Sequence, residues 1–222
     1  MNLSAPSAAP KASATDRAYT HTKDAILGRR YEGGAIVSEG DIAADVGVSR
    51  TPVREALLRL QAEGLVRLYP KRGALIVPVS RQEVDDVIET RRLVEGYTVE
   101  RAAAGDLAGR AALAGRLTGL LEAMEDGLAA GDTTAFVHAD REFHRTIVAA
   151  AGNDILNALY ESLRDRQYRM MRAGSRDADL MRRNIAEHAA ILDAVRRGVA
   201  EDAAAAVRTH LDHAAASIGG RP

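Results

Sequence analysis

At 222 residues the chain can bury a core without staples and has room for one large domain or two modest ones. With no cysteine, disulfides, thiolate metal sites and cysteine nucleophiles are all excluded. The formal net charge of −1 argues against a uniformly basic nucleic-acid binder, but the charge is unevenly placed: residues 16–81 carry 11 Lys and Arg against 8 Asp and Glu, and residues 82–222 carry 18 against 23.

In chain order, residues 1–15 are Ala/Ser/Pro-rich with a single cation, Lys11. Lacking periodic apolar residues, they are expected to form a disordered tail. They also lack the apolar core of a secretory signal, and no apolar run in the chain approaches bilayer length, so a cytoplasmic protein without membrane contact is expected. Residues 16–79 read as short helices with strand-like runs, and beyond Arg81 the pattern becomes helical. The domain boundary is placed near Pro78 to Gln82, where Pro78 would end a strand and Ser80 could cap the next helix.

Within the first domain, Ser38 to Ala44 is a short helix capped by Ser38, with Asp41 near its positive end. Gly47 breaks it. The following helix opens at Ser49, tolerates Pro52 in its first turn and places Val53, Ala56, Leu57 and Leu60 on one apolar stripe. Arg50 and Arg54 stand one turn apart on its other face, beside Thr51. Leu65 to Tyr69 and Ala74 to Val77 are β-prone and joined by Pro70-Lys71-Arg72-Gly73, a hairpin with a basic tip. The guanidinium fork of Arg50 or Arg54 can bond guanine O6 and N7 together, while Lys71 and Arg72 suit phosphates or the minor groove.

The run SEGDIAADVGVSRTPVREALLRLQAEGLVRLYPKRGALIV, Ser38 to Val77, resembles the winged helix-turn-helix of the GntR family of bacterial transcription regulators, and VSRTPVREAL is its most specific stretch. The resemblance implies that Arg50 and Arg54 contact bases, that Ser49 and Thr51 support them at the backbone, and that Gly73 lets the wing tip approach the duplex. Gly40 departs from the pattern: some members carry a further DNA-contacting arginine there. A single winged helix contacts few bases, so a homodimer on a two-fold operator is expected.

The second domain reads as six helices, roughly 82–104, 107–130, 133–151, 154–173, 177–198 and 200–218, broken at Gly105-Asp106, Gly131-Asp132, Gly152-Asn153, Gly174-Ser175 and Gly198. The fold class is therefore mainly α: a winged helix-turn-helix followed by an all-α bundle. On the stripe of Phe136, Phe143 and Ile147 fall Asp140 and His144; on that of Met181, Ile191, Leu192 and Val195 falls His188; on that of Val207, Leu211 and Ala214 falls His210. All four are expected to face the core. His138 and His21 are read as solvated.

A buried aspartate is costly unless paired, and three imidazoles with one carboxylate make a coherent set for a divalent cation such as zinc, nickel or manganese. Each histidine alone is more often a satisfied core residue. Residues 82–218 resemble the FCD-type ligand domain of one GntR subfamily, whose metal-binding members carry Asp-x3-His on one helix and single histidines on two later ones. Asp140, His144, His188 and His210 match that order, which implies a six- or seven-helix bundle holding a metal that accepts the carboxylate of an organic-acid effector. His213 competes with His210 for the last position.

Arg91 shares the stripe of Val84, Val87, Ile88 and Val94, with Glu95 one turn later. It can neutralise an anionic effector or pair with Glu95. Arg166, on the stripe of Leu159, Leu163 and Met170, is a second effector candidate. A ligand-responsive repressor is the expected function. A metal-free regulator that binds an acyl thioester or another ligand is the alternative. A helical metalloenzyme fits less well, because Glu95 is the one further inward carboxylate that could serve as acid or base.

Overall fold

The computed structural model describes residues 12–28, 30–174 and 177–219. The chain divides into two compact units after Pro78. In the first, α1 (Ala14–Leu27), α2 (Glu39–Val46) and α3 (Arg50–Ala62) are accompanied by three short strands, β1 (Ile36–Val37), β2 (Val66–Tyr69) and β3 (Gly73–Ile76). The strands form one antiparallel sheet in the order β1-β3-β2, with Val37 opposite Ala74 and Leu68 opposite Ala74 from the other side. The sequence pattern yields the β2–β3 hairpin but not β1, whose two residues are too few to show an alternation.

Most of the expected tail, residues 1–11, lies outside the described residues. Its last residues do not belong to a tail: α1 begins at Ala14, with the Ser13 hydroxyl accepting the Asp16 N–H at 3.0 Å. The same device opens α2, where Ser38 accepts from Asp41 N–H at 3.0 Å. The apolar stripe of α3, Val53, Ala56, Leu57 and Leu60, is buried against Ala18, Ile26, Ile42, Leu65, Val66 and Ile76. One face of α3 is thereby fixed to the core, leaving the opposite face to solvent.

The second unit is helical: α4 (Arg81–Ala103), α5 (Leu107–Ala130), α6 (Thr133–Ala150), α7 (Asp154–Ser162), α8 (Arg164–Gly174), α9 (Ala178–Arg197) and α10 (Ala200–Gly219). Among the described residues this makes seven helices where the sequence reading gave six, because the expected helix 154–173 is interrupted at Leu163. Asp106, Asp132 and Asn153 cap α5, α6 and α7 as the polar-after-glycine pattern predicts. At the Gly174-Ser175 break, Ser175 lies outside the described residues, and Asp177 caps α9.

The bundle packs α4 along α10, and α5 against α6 and α9. Gly127 lets α6 approach α5 closely: a Cβ there would stand 2.9 Å from the Phe136 backbone nitrogen. That approach sets the inward face of α6, from Phe136 through Asp140 to His144 and Ile147, against a core of Val99, Leu117, Met124, Ile191, Val195 and Leu211. No described helix is long and apolar enough to cross a membrane.

Candidate functional site

In the first unit, Arg50, Thr51 and Arg54 are exposed at the start of α3, and neither arginine makes a hydrogen bond or ion pair among the described residues. Arg59, three turns into the same helix, is instead committed: it pairs with Asp16 at 2.9 Å and lies over the Tyr19 ring. Ser49 occupies the N-cap position of α3, yet its side chain makes no capping bond. Its hydroxyl is thus available to an outside partner. A Cβ at Gly40 would stand 3.4 Å from Arg50 Nη2, so the position where the sequence departs from the family pattern lies directly beside that guanidinium.

The β2–β3 turn carries Lys71 and Arg72, both exposed. It closes with Arg72 N–H on the Tyr69 carbonyl at 3.1 Å and holds Lys71 at φ 61°, a left-handed conformation rare for a residue with a side chain. Gly73 has an internal reason for being glycine: at φ 107° its Cβ would lie 2.3 Å from the Val37 carbonyl oxygen. The packing of β1 accounts for it without any duplex. Arg67, exposed on β2, is a further cation of the hairpin that the sequence pattern did not single out.

In the second unit α6 contributes Asp140 and His144, α9 contributes His188 and α10 contributes His210. All four are buried, and one ligand atom from each lies within 4.8 Å of every other. The outer nitrogens are oriented by a second layer. His188 Nδ1 lies 2.7 Å from the Asn184 backbone carbonyl, which can only accept. His210 Nδ1 lies 2.9 Å from Glu187 Oε2. His144 Nδ1 lies 2.8 Å from Glu95 Oε2, though off the line of a hydrogen bond. Each contact favours the proton on Nδ1, leaving an Nε2 lone pair that points inward.

Burial lowers the His188 pKa well below its ordinary value, with His210 and His144 adding to the effect. Burial also lowers that of His210, against the opposing bond to Glu187. The Nε2 atoms then face one another across the cluster, with His188 Nε2 only 3.1 Å from His144 Nε2. Asp140 Oδ1 is buried without a hydrogen-bond partner, 3.5 Å from His188 Nε2. Converging lone pairs around an orphaned carboxylate oxygen repel unless a cation stands among them, so this donor set fits a borderline divalent metal.

Arg91 is buried and makes the Glu95 pair read from the sequence. Its Nε donates to Glu95 Oε1 at 2.6 Å, and its side chain borders a cavity of about 100 Å³ beside Asp140 and His210. Burial would raise the Glu95 pKa, but Arg91 and His144 outweigh it and hold the carboxyl well below the usual range. The Tyr160 hydroxyl also donates to Glu95, at 2.8 Å. Glu95 is therefore consumed by its neighbours and is not the free acid or base that catalysis would need.

Arg166 does not reach the cavity. Arg166 is exposed, 3.9 Å from Glu83, and Arg169, also on α8, is buried 3.0 Å from the same carboxylate. His213 is half-exposed and gives its Nδ1 to Glu187 at 2.6 Å, leaving His210 in the cluster. His138 is exposed; His21 is partly buried, 3.8 Å from Asp45. The sequence reading missed Asn184, Glu187 and Arg183, which line the cavity from α9. The available signal was their helical spacing from His188.

Residues 14–76 match the bacterial regulatory proteins of the gntR family, and residues 86–213 match the FCD domain. An HTH-type transcriptional regulator from an unstable DNA locus of Streptomyces ambofaciens is 32% identical over 193 residues, 87% of this chain and 80% of that protein. The gluconate operon transcriptional repressor of Bacillus subtilis (strain 168) is 31% identical over 154 residues, 69% of this chain and 62% of that protein. The crystal structure of a proposed transcriptional regulator GntR from Rhodococcus sp. RHA1 superposes with a TM-score of 0.77 at 27% identity, covering 95% of this chain and all of that one. With one family model over each unit and a relative 32% identical across most of both chains, the chain belongs to the GntR family of DNA-binding transcriptional regulators, with an FCD domain as its second unit, a family of regulators and not of enzymes.

Proposed function

We propose that the chain represses transcription as a homodimer on a two-fold operator, and that a small organic acid at a metal-containing pocket of the FCD domain relieves repression. The observation that carries the sensing half is the buried Asp140, His144, His188 and His210 cluster opening onto the cavity. Those four residues would hold zinc, nickel or manganese. A divalent cation there supplies open coordination positions for a carboxylate. Arg91, already facing the cavity, adds positive charge beside the bound acid. A cavity of about 100 Å³ is below the range typical of drug-sized ligands, which favours a small acid over an acyl thioester.

On the DNA side, Arg50 and Arg54 would read base edges, Ser49 and Thr51 would bond the phosphate backbone, and Lys71 and Arg72 would meet phosphates or the minor groove at the wing. Gly73 serves by holding the wing turn against β1. Regulation requires the DNA-binding and released states to bind the acid unequally.

The test is metal content by mass spectrometry together with operator release in an anisotropy titration. His188→Ala is expected to lower bound metal by more than tenfold and to remove the response to added acid while leaving operator binding in place. Full metal content and a normal response in that variant would remove His188 from the ligand set. Metal affinity in the wild type should also fall as the pH falls, because protons compete for the inward Nε2 lone pairs.

A further inference from the structure

The face of α9 that borders the cavity carries more than a metal ligand, and it runs from buried His188 out to exposed Arg183. Leu180, Arg183, Asn184, Glu187 and His188 recur at helical spacing, and the first four line the cavity whose inner end is Asp140 and His210. Of these, Glu187 is already taken. Its two oxygens lie 2.9 Å from His210 Nδ1 and 2.6 Å from His213 Nδ1. The carboxylate one turn from Arg183, its natural helical ion-pair partner, is thus occupied elsewhere.

Arg183 is left on the cavity wall with no hydrogen bond or ion pair among the described residues. Beside it, Asn184 Oδ1 is buried without a partner. A buried polar atom without a partner is rare in a folded chain unless a ligand or water supplies the missing bond. Along the helix axis Arg183 precedes His188 by about 7.5 Å at the usual rise per residue. The cavity therefore presents a coordination site at one end, an unsatisfied amide along its wall and an uncommitted guanidinium farther out.

Resting on the organic-acid reading above, we infer that the effector is a 2-hydroxy acid bearing a second anionic group, carboxylate or phosphate, which Arg183 binds. Asn184 takes a hydroxyl between the two charges. An arginine that only solubilises the helix would be indifferent to the second charge. A recognising one discriminates strongly, because a fork-shaped charge-assisted contact is lost when the anion becomes a methyl group.

The experiment is calorimetric titration of the metal-loaded full-length protein with matched pairs: 2-hydroxyglutarate against 2-hydroxyvalerate, and 3-phosphoglycerate against glycerate. At least one of the two acids with two anionic groups, 2-hydroxyglutarate or 3-phosphoglycerate, is expected to bind about tenfold or more tightly than its partner with a single anionic group, and the pair that discriminates identifies carboxylate or phosphate as the second group. In Arg183→Gln the preference should shrink to within about twofold, with unchanged metal content and unchanged affinity for the monoanion. Equal binding within both pairs by the wild type, failure to bind either acid with two anionic groups, or a preference retained in Arg183→Gln overturns the inference. Metal content of His188→Ala is measured alongside. If that variant keeps its metal, the ligand assignment fails, while the paired titrations still decide the role of Arg183.

Discussion

In the N-terminal unit Arg50, Arg54, Lys71 and Arg72 stand in solvent, the two arginines without partners among the described residues, whereas the C-terminal unit withdraws Arg91, Glu95, Asp140 and three histidines from water and surrounds them with one another. The first arrangement costs little in stability, since an exposed cation keeps its hydration until a phosphate or base edge replaces it. The second forfeits hydration on folding and must be repaid by neighbours in good geometry. Recognition is therefore separable from stability in one unit and entangled with it in the other. Substitutions should reveal that difference as large stability losses in the bundle and nearly silent ones on α3.

The sharpest break in the comparison is Glu95→Ala. It leaves Arg91 buried without its ion-pair partner and removes the acceptor of Tyr160. Stripping one partner from a buried pair costs about 3–5 kcal/mol, which for a domain of this size lowers the melting temperature by on the order of 10 °C. Differential scanning calorimetry of the full chain should show the loss; a change below about 1 kcal/mol would mean that water reaches Arg91 and that the network is less closed than its burial indicates.

Arg54→Ala is the counterpart on the exposed side. Melting should move by no more than about 0.5 kcal/mol, while affinity for an operator selected from random-sequence DNA should fall about 10- to 100-fold, the range for one lost bidentate base contact. Binding to unselected DNA should change much less, because that component comes from the phosphates. Equal losses on both DNAs would reassign Arg54 from base reading to backbone contact.

This contrast also explains what could be read in advance from the residues. The helix α3 was legible because its information is local: Ser49 at the N-cap position, a stripe at Val53, Ala56, Leu57 and Leu60, and two arginines four residues apart on the opposite face. Asp140 and His144 were legible for the same reason, and His188 and His210 because each interrupts an apolar stripe. The second layer was not. Glu95 and Tyr160 meet across 65 residues of sequence, and Glu187 reaches His210 from another helix. No periodicity records such contacts. Arg166 was expected inward because the stripe was anchored on Leu159, which is exposed; the buried face runs instead through Tyr160, Leu163, Gln167 and Met170 and leaves Arg166 outside. At Gly73 the residue type was informative while its reason, the carbonyl of Val37, lay in a strand too short to be noticed.

The smallest expected effect lies at the wing, where the separation of stability from recognition becomes testable within a single residue. Lys71 sits at φ 61°, and a residue with a Cβ held in the left-handed region costs on the order of 1 kcal/mol or more. Glycine relieves that strain, but it also gives the unfolded chain more freedom to lose, which takes back part of the gain. Lys71→Gly should therefore be neutral to slightly stabilising, by less than about 1 kcal/mol in urea denaturation. If the lysine is kept there for its charge, the same change should weaken binding to selected and unselected DNA alike and reduce the salt slope by about one counterion. A stabilised variant with an unchanged salt slope would assign the strained lysine no contact with phosphate, and the basic character of the tip would then rest on Arg72 alone.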